Sequence, residues 1–597
     1  MGGREDAEKG LADQMNILPK AQVLIVYSAL AFALLLSFVN QNGISVMLPK
    51  MAEELDGQES ISWAGTSSLI GNTVFSVLYG RLSDIFGRKG LFMSVLGVLA
   101  LASLMCGFAQ TPEMLYFFRA MAGIADGGVM SLTMIILSDI VTLKDRGKYQ
   151  GLFGVFIGVG NVIGPFIAAA FLQLSTWRGF FFLLVPLSTI CGLISFWLIP
   201  TPKGAQDLGL KNVGKIDFAG LFCSTTAIIF ILIPISGGGS YFPWESPMII
   251  SMLVIGGLAL IAFLYVEWKV AYLPMFPLNI FRNKVAAVLL LQSALMGAAY
   301  QSYLYYLPVY FQNVRQWTSI SSAALTAAMV GTQATFSFLG GQYMTRMNRY
   351  GEVIWVGFGL WTLGTGLACM FDRKTHPAVI AVVISVVGAG VGCIFQPTLV
   401  AIQANCSNAQ RAVAISNRNF CRCMGGAIGL AVSATILQQV LKASLPSHYS
   451  FLAGSTYSVP AIPEQDMELV LNAYMKASRG VFILQAPIIG LCFILCVFVK
   501  DNGLVKEEPR DPESRVGTGL TTDTECELAG KERQGSRIGT GFTTDTECEL
   551  MSKGERPGME SRLGTGVTTE SRVGTAMTTE TEKSLQNVQQ PRDDIRV

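Results

Sequence analysis

Fourteen runs of apolar residues, separated by short polar stretches, occupy the chain between residues 22 and 499. They lie near 22–47, 62–79, 90–109, 113–140, 151–174, 179–200, 217–237, 247–268, 285–311, 319–344, 352–371, 377–402, 412–440 and 480–499. About 20 apolar residues span the hydrocarbon core of a bilayer as a helix. Backbone that faces lipid has no water to bond, so each run is expected to be helical. One long connection, about 442–479, is expected between the last two spans, on the outer side. Beyond Lys500 the apolar pattern stops. Copies of one polar phrase follow, SRVGTGLTTDTECEL from Ser514 and SRIGTGFTTDTECEL from Ser536, with shorter ones from Ser561 and Ser571. Such a composition buries too little apolar surface to offset the entropy of ordering, so the tail is expected to be disordered. A passive tail is the simpler reading, and contacts with a kinase or an adaptor are the alternative.

Composition agrees with the pattern. Of 597 residues, 51% are hydrophobic and 14% charged, and the mean hydropathy is +0.47. Soluble domains carry about a quarter charged residues. A net charge of +2 offers no field for nucleic acid, and none is expected as a partner. Charge placement sets the orientation. Alternate loops hold Arg81, Arg88 and Lys89; Lys144, Arg146 and Lys148; Lys203, Lys211 and Lys215; Lys269, Arg282 and Lys284; and Arg346 with Arg349. Cytoplasmic loops are the ones enriched in Lys and Arg, so both termini are expected in the cytosol. Arg178, Arg315, Arg373 and Lys374 are the exceptions. The polar start from Met1 to Lys20 leads into a full-length span and does not read as a cleaved signal peptide. Twelve cysteines fall mostly inside apolar runs or in the tail, and Cys421 and Cys423 have no second pair to complete a zinc site. No metal, no catalytic residue and no enzymatic activity are expected: there is no nucleotide loop, and His376 and His448 both fall in loops.

Gly80-Arg-Leu-Ser-Asp84-Ile-Phe-Gly87-Arg88-Lys89 follows the second span, and Gly341-Gln-Tyr-Met-Thr345-Arg346-Met-Asn-Arg349 is a weaker copy in the second half. The first matches the loop between helices two and three of the major facilitator superfamily, and two related halves fit that fold. Arg119-Ala-Met-Ala-Gly123 resembles the superfamily's R-x-x-x-G motif, with Ala122 for the usual glutamine. Gly151, Gly160 and Gly164-Pro165 resemble the G-x8-G-x3-G-P helix of its antiporters, with Ala168 and Ala169 for the final glycines. Small residues at such spacing let helices approach closely in lipid. Trp177-Arg178-Gly-Phe-Phe-Phe-Leu-Leu-Val-Pro186, Tyr305 to Gln312, Gln396-Pro397-Thr398 and Asn419 to Gly429 fit too. With fourteen spans, the chain resembles the fungal fourteen-helix drug:proton antiporter branch over residues 22–500. One departure is Asn40, which stands where that branch commonly places an acid in the first helix.

The resemblance implies an all-α polytopic membrane protein of the major facilitator fold, two six-helix bundles plus two inserted helices. The expected division is a cytoplasmic segment 1–21, a first bundle 22–200, a linker 201–284 with the two additional spans, a second bundle 285–500 and the tail 501–597. It further implies alternating access around a midplane site, a monomer in the bilayer, and a small organic substrate. The implied activity is export of amphipathic compounds, whether drugs, toxins or secondary metabolites, against protons, with the proton gradient as the energy source and no cofactor. The plasma membrane is the expected location, with the vacuolar membrane as the alternative. Uptake or vacuolar storage of a siderophore or basic amino acid, or nutrient sensing without transport, are the rival readings. Charges inside spans are expensive and mark function. Arg119 and Asp126 lie seven positions, two helical turns, apart on one face and are the candidates for proton coupling. Gly80, Asp84, Gly87, Arg88 and Lys89 form the conformational motif, and Gly151, Gly160, Gly164 and Pro165 the antiporter motif. Asn40, Asn42, Asn161, Gln292, Gln301, Gln333 and Gln396 are candidates to line the cavity. Arg418 and Arg422 are expected to snorkel toward the cytoplasmic surface.

Overall fold

The computed structural model describes residues 17–57, 60–61, 63–200, 217–238, 243–271, 273–407, 410–446, 448–449, 464–501 and 503–504. The repeats of the tail and the first sixteen residues lie outside them, as does residue 455 of the expected outer loop. Among the described residues the secondary structure is helical. The helices are α1 Lys20–Glu54, α2 Trp63–Ser76, α3 Leu78–Phe86, α4 Arg88–Gly107, α5 Pro112–Ile140, α6 Leu143–Leu174 and α7 Trp177–Leu198. Then come α8 Phe218–Gly237, α9 Pro247–Tyr265, α10 Lys284–Val309, α11 Ser319–Met347, α12 Gly351–Ala368, α13 Pro377–Ala404, α14 Arg411–Ser444 and α15 Glu464–Leu495. Helices α2 and α3 continue one another through Val77, so together they account for the run expected near 62–79. Eleven of the described helices are long and apolar enough to cross a membrane. The broken pair α2–α3, the Ser/Thr-rich α11 and the short α12 complete the fourteen segments read from the sequence.

Local chemistry starts several helices. Thr111 accepts from the Met114 amide at 3.3 Å, with Pro112 at the first position of α5, where its missing N–H has no partner to lose. Thr142 does the same for Asp145 at the head of α6, and Asp217 for Gly220 at the head of α8.

The helices pack in two sets. In the first, α1 runs against α6 and α7, α2 against α5, and α4 against α5 and α7. In the second, α10 packs with α14 and α15, α11 with α13, and α12 with α13 and α15. Helices α8 and α9 pair with each other, and α8 lies over the seam where α2 meets α14: Ile228 and Leu232 close on Val74 and Ala427. Helix α9 leaves Ile250, Val254, Leu258 and Ile261 exposed, an apolar stripe that hydrocarbon covers without penalty.

The connection between the last two spans is shorter than expected. Helix α15 begins at Glu464, and α14 extends to Ser444, so helix replaces much of 442–479. Five charged residues, Glu464, Asp466, Glu468, Lys476 and Arg479, keep the first half of α15 below a span's hydropathy. Its inner face is apolar all the same, with Val470, Ala473, Tyr474 and Ala477 buried at helical spacing.

Candidate functional site

The polar centre of the first set is built by α1 and α5. Ser37, Asn40, Arg119 and Asp126 are all buried, Arg119 at 1% and Asp126 at 2% exposure. The Ser37 hydroxyl donates to Asp126 Oδ1 at 2.8 Å and Asn40 Nδ2 donates to Oδ2 at 3.0 Å. Arg119 Nη1 donates to Asn40 Oδ1 at 3.0 Å, and its Nε reaches the Ala64 carbonyl at 3.4 Å. The expected pairing of Arg119 with Asp126 is therefore indirect: the Asn40 amide stands between the charges, accepting from one and donating to the other. An acid at position 40 would compete with Asp126 for Arg119, whereas an amide relays between them. Asn42 donates to Asn161 at 2.8 Å, tying α1 to α6 nearby.

A second constellation gathers where the basic loops lie, called here the basic end. Arg88 donates to Asp84 at 2.6 Å and to Asp139 at 2.9 Å. Arg411 of the second set reaches Asp139 at 3.5 Å, and Arg146 donates to the Ser138 carbonyl at 2.6 Å and to Gln403 at 3.3 Å. The motif and Asp139 thus fasten α3, α4 and α5 to α14, while Arg146 ties α6 to α13. Gly80 allows it, since a Cβ there would stand 2.8 Å from the Ala412 carbonyl and 2.9 Å from Val413 Cα. Lys89 sits 4.6 Å from the Phe196 ring centroid. Gly87 has φ +86° and ψ 148°, a region that essentially only glycine occupies, while the space around its Cβ position is open. Gly87→Ala is therefore expected to cost about 1–3 kcal/mol through backbone strain alone. A lowered thermal midpoint of the purified protein checks this, and an unchanged midpoint refutes it.

The glycines of α6 face two ways. Gly160 meets Phe38 and Leu35 of α1, and Gly164 meets Val39 and Gly43. Gly151 instead faces Ser337 and Gly341 of α11, in the other set. Gly147, Gly154 and Gly158 share that second face, against Gly341, Ser337 and Ala334. The signal for this face was present in the sequence as a glycine at 147, 151, 154 and 158, a helical stripe that shares only Gly151 with the antiporter motif. Pro165 lies within α6, one residue after the contact with α1.

The glutamines separate. Gln292 donates to the Cys492 carbonyl at 2.9 Å and so joins α10 to α15 inside the second set. Gln333 accepts from the Tyr300 hydroxyl at 3.2 Å. Gln301 is half-buried on α10 beside Gly426, and Gln396 is buried on α13 beside Gly154. Arg418 does not snorkel. It is 1% exposed and donates to the Phe395 carbonyl at 2.5 Å and to Thr398 at 3.1 Å. It lies seven residues, about 10 Å, inside the start of α14 and is held inward by these acceptors.

A family model described as Major Facilitator Superfamily matches residues 30–430. Citrate exporter 1 of Yarrowia lipolytica is 48% identical over 87% of this chain and 80% of its own length. The MFS-type transporter clz4 of Cochliobolus lunatus is 41% identical over 83% and 88%. Efflux pump dotC of Dothistroma septosporum is 30% identical over 80% and 85%. Among solved structures, the human organic anion transporter MFSD10 superposes with a TM-score of 0.55 at 14% identity, over 80% of this chain and all of that one. The proton:xylose symporter XylE gives a TM-score of 0.54 at 12% identity, over 82% and 98%. At these identities the two structures show the fold.

Proposed function

The chain belongs to the Major Facilitator Superfamily, membrane transporters of small molecules, and we propose that it exports organic compounds from the cytosol in exchange for protons. The observation that carries this reading is the Asp126 carboxylate, buried at the middle of α5 and held by two neutral donors, Ser37 and Asn40. Such a group holds a proton in one conformation and yields it in another when its donors and the nearby Arg119 shift. Relatives named as a citrate exporter and an efflux pump support the outward direction. The test is purified protein in liposomes with an imposed pH gradient and a panel of organic compounds. Gradient-dependent movement of a compound opposite to the protons is expected; movement in the same direction as the protons would refute export by exchange.

The orientation belongs to the same proposal. With the basic end in the cytosol, the contacts of Gly80, Asp139 and Gly151 with the second set close the path on the cytosolic side. On intact cells, with native thiols blocked, an impermeant maleimide is expected to label a cysteine placed at Ser455 and not one at Ser514. Labelling at Ser514 from outside would invert the topology.

A further inference from the structure

The second set carries positive charge that proton exchange does not use. Arg418 and Arg422 stand one turn apart on α14 and share the Phe395 ring, with guanidinium carbons 5.8 and 5.7 Å from its centroid. Arg418 Nη1 donates to Asn419 at 3.3 Å, in addition to its bonds to Phe395 and Thr398, and Arg422 Nη2 reaches Cys423 Sγ at 3.5 Å. Among the described residues neither has a carboxylate within the 4.0 Å of an ion pair. The Nε of each is buried without a hydrogen-bond partner, and so is Oε1 of Gln396, which follows Phe395 in the chain. Two like charges a turn apart repel, and a guanidinium withdrawn from water without a counter-charge is destabilised. Arginine is also the side chain best matched to a carboxylate, which it binds through two parallel hydrogen bonds.

The pair sits where the two sets meet. Asn419 donates to Ser131 of α5 at 3.3 Å, and Cys423 lies 3.6 Å from Asn72 of α2. Tyr300 packs its ring on Phe395 with centroids 4.9 Å apart, adding a hydroxyl bonded to Gln333. We propose that Arg418 and Arg422, with Tyr300 beside them on the Phe395 ring, bind the carboxylates of a di- or tricarboxylate substrate. This rests on the transport reading and narrows its substrate to an organic polyanion. The relative named as a citrate exporter, at 48% identity, agrees with that class.

The experiment measures binding to the detergent-purified full chain by calorimetry and thermal shift, with citrate, succinate and inorganic phosphate as probes. Citrate or succinate is expected to bind and raise the thermal midpoint. Arg422→Gln and Arg418→Gln are each expected to weaken binding about tenfold or more, with Arg422→Lys intermediate because it keeps the charge and loses the fork. Should Arg418→Gln fail to fold, the half-buried Arg422 and its two variants decide. The proposal is overturned if neither carboxylate binds the native protein, if Arg422→Gln binds as the native protein does, or if phosphate binds as tightly as citrate. Because no gradient is present, the two readings fail separately. Arginine-dependent binding without gradient-driven transport would sink the export reading alone. Transport of neutral compounds without carboxylate binding would sink this one alone.

Discussion

Asp126→Asn protein in liposomes is expected to lose pH-gradient-driven transport entirely, while exchange of labelled for unlabelled substrate at equal pH continues. The substitution keeps the volume and removes the one property that coupling needs, the ability to take up and release a proton. The local bonds survive in part: an amide oxygen still accepts from Ser37 at the position of Oδ1, and the amide of Asn40 can turn to accept at the position of Oδ2. Turning Asn40 takes its oxygen from Arg119, which then keeps the Ala64 carbonyl among its acceptors. That exchange of partners is the structural price of the variant, and it predicts a moderately lowered thermal midpoint rather than an unfolded protein. A purely structural role for Asp126 predicts the opposite pattern, poor yield with full gradient-driven transport per folded molecule. Transport at matched amounts of protein separates the two. Full gradient-driven transport by Asp126→Asn would remove this carboxylate from the coupling step.

What the sequence made legible follows from the length scale of each signal. A span is a statement about 20 or so neighbouring residues, so hydropathy placed the apolar stretch of each helix, while α1 runs on to Glu54 and α6 begins at Leu143, beyond the runs near 22–47 and 151–174. The Gly80–Lys89 loop was legible because its residues act on one another: Arg88 pairs with Asp84 four positions earlier. Its third partner, Asp139, lies 51 positions away and carries no local mark. Asn40 illustrates the same limit. Its departure from the expected acid was visible, but its place between Arg119 and Asp126 depends on the register of α1 against α5, which periodicity does not fix. The first half of α15 was hidden because its outer face is charged, which lowers mean hydropathy without disturbing the apolar inner face. Arg418 lies deeper than its distance to the end of its apolar run suggests. The acceptors that draw it inward, Phe395 and Thr398, belong to α13.

Gly151→Val is expected to abolish transport by displacing the conformation described here, rather than by unfolding the protein. A Cβ at Gly151 would lie 2.6 Å from the Ser337 carbonyl and 2.9 Å from Gly341 Cα, and both obstacles are backbone of α11 that cannot rotate aside. Helices α6 and α11 must therefore separate. They are joined along one stripe, Gly147, Gly151, Gly154 and Gly158, and this stripe runs between the two sets rather than within one. Separation there leaves the packing of each set intact, which is why a rearrangement is expected before denaturation. Overpacking of this kind costs about 1–3 kcal/mol. Between two conformations of similar free energy that is a shift of roughly fivefold to more than a hundredfold. The reporter is a cysteine at Ala412, buried against Gly80 at the basic end and part of the same closure. Its maleimide labelling is expected to be slow in the otherwise native protein and faster by about that ratio when Gly151→Val is added. Gly331→Ala, whose Cβ meets open space on the same α11, serves as the control and is expected to change neither transport nor labelling. Gly160 and Gly164 complete the argument, because they press on α1 inside the first set. Gly164→Val should lower the thermal midpoint without exposing a cysteine at Ala412. If Gly151→Val lost transport while labelling at Ala412 stayed slow, the α6–α11 stripe would be ordinary packing and the closure of the basic end would have to rest on Gly80 against Ala412 and on the Asp139–Arg411 and Arg146–Gln403 contacts.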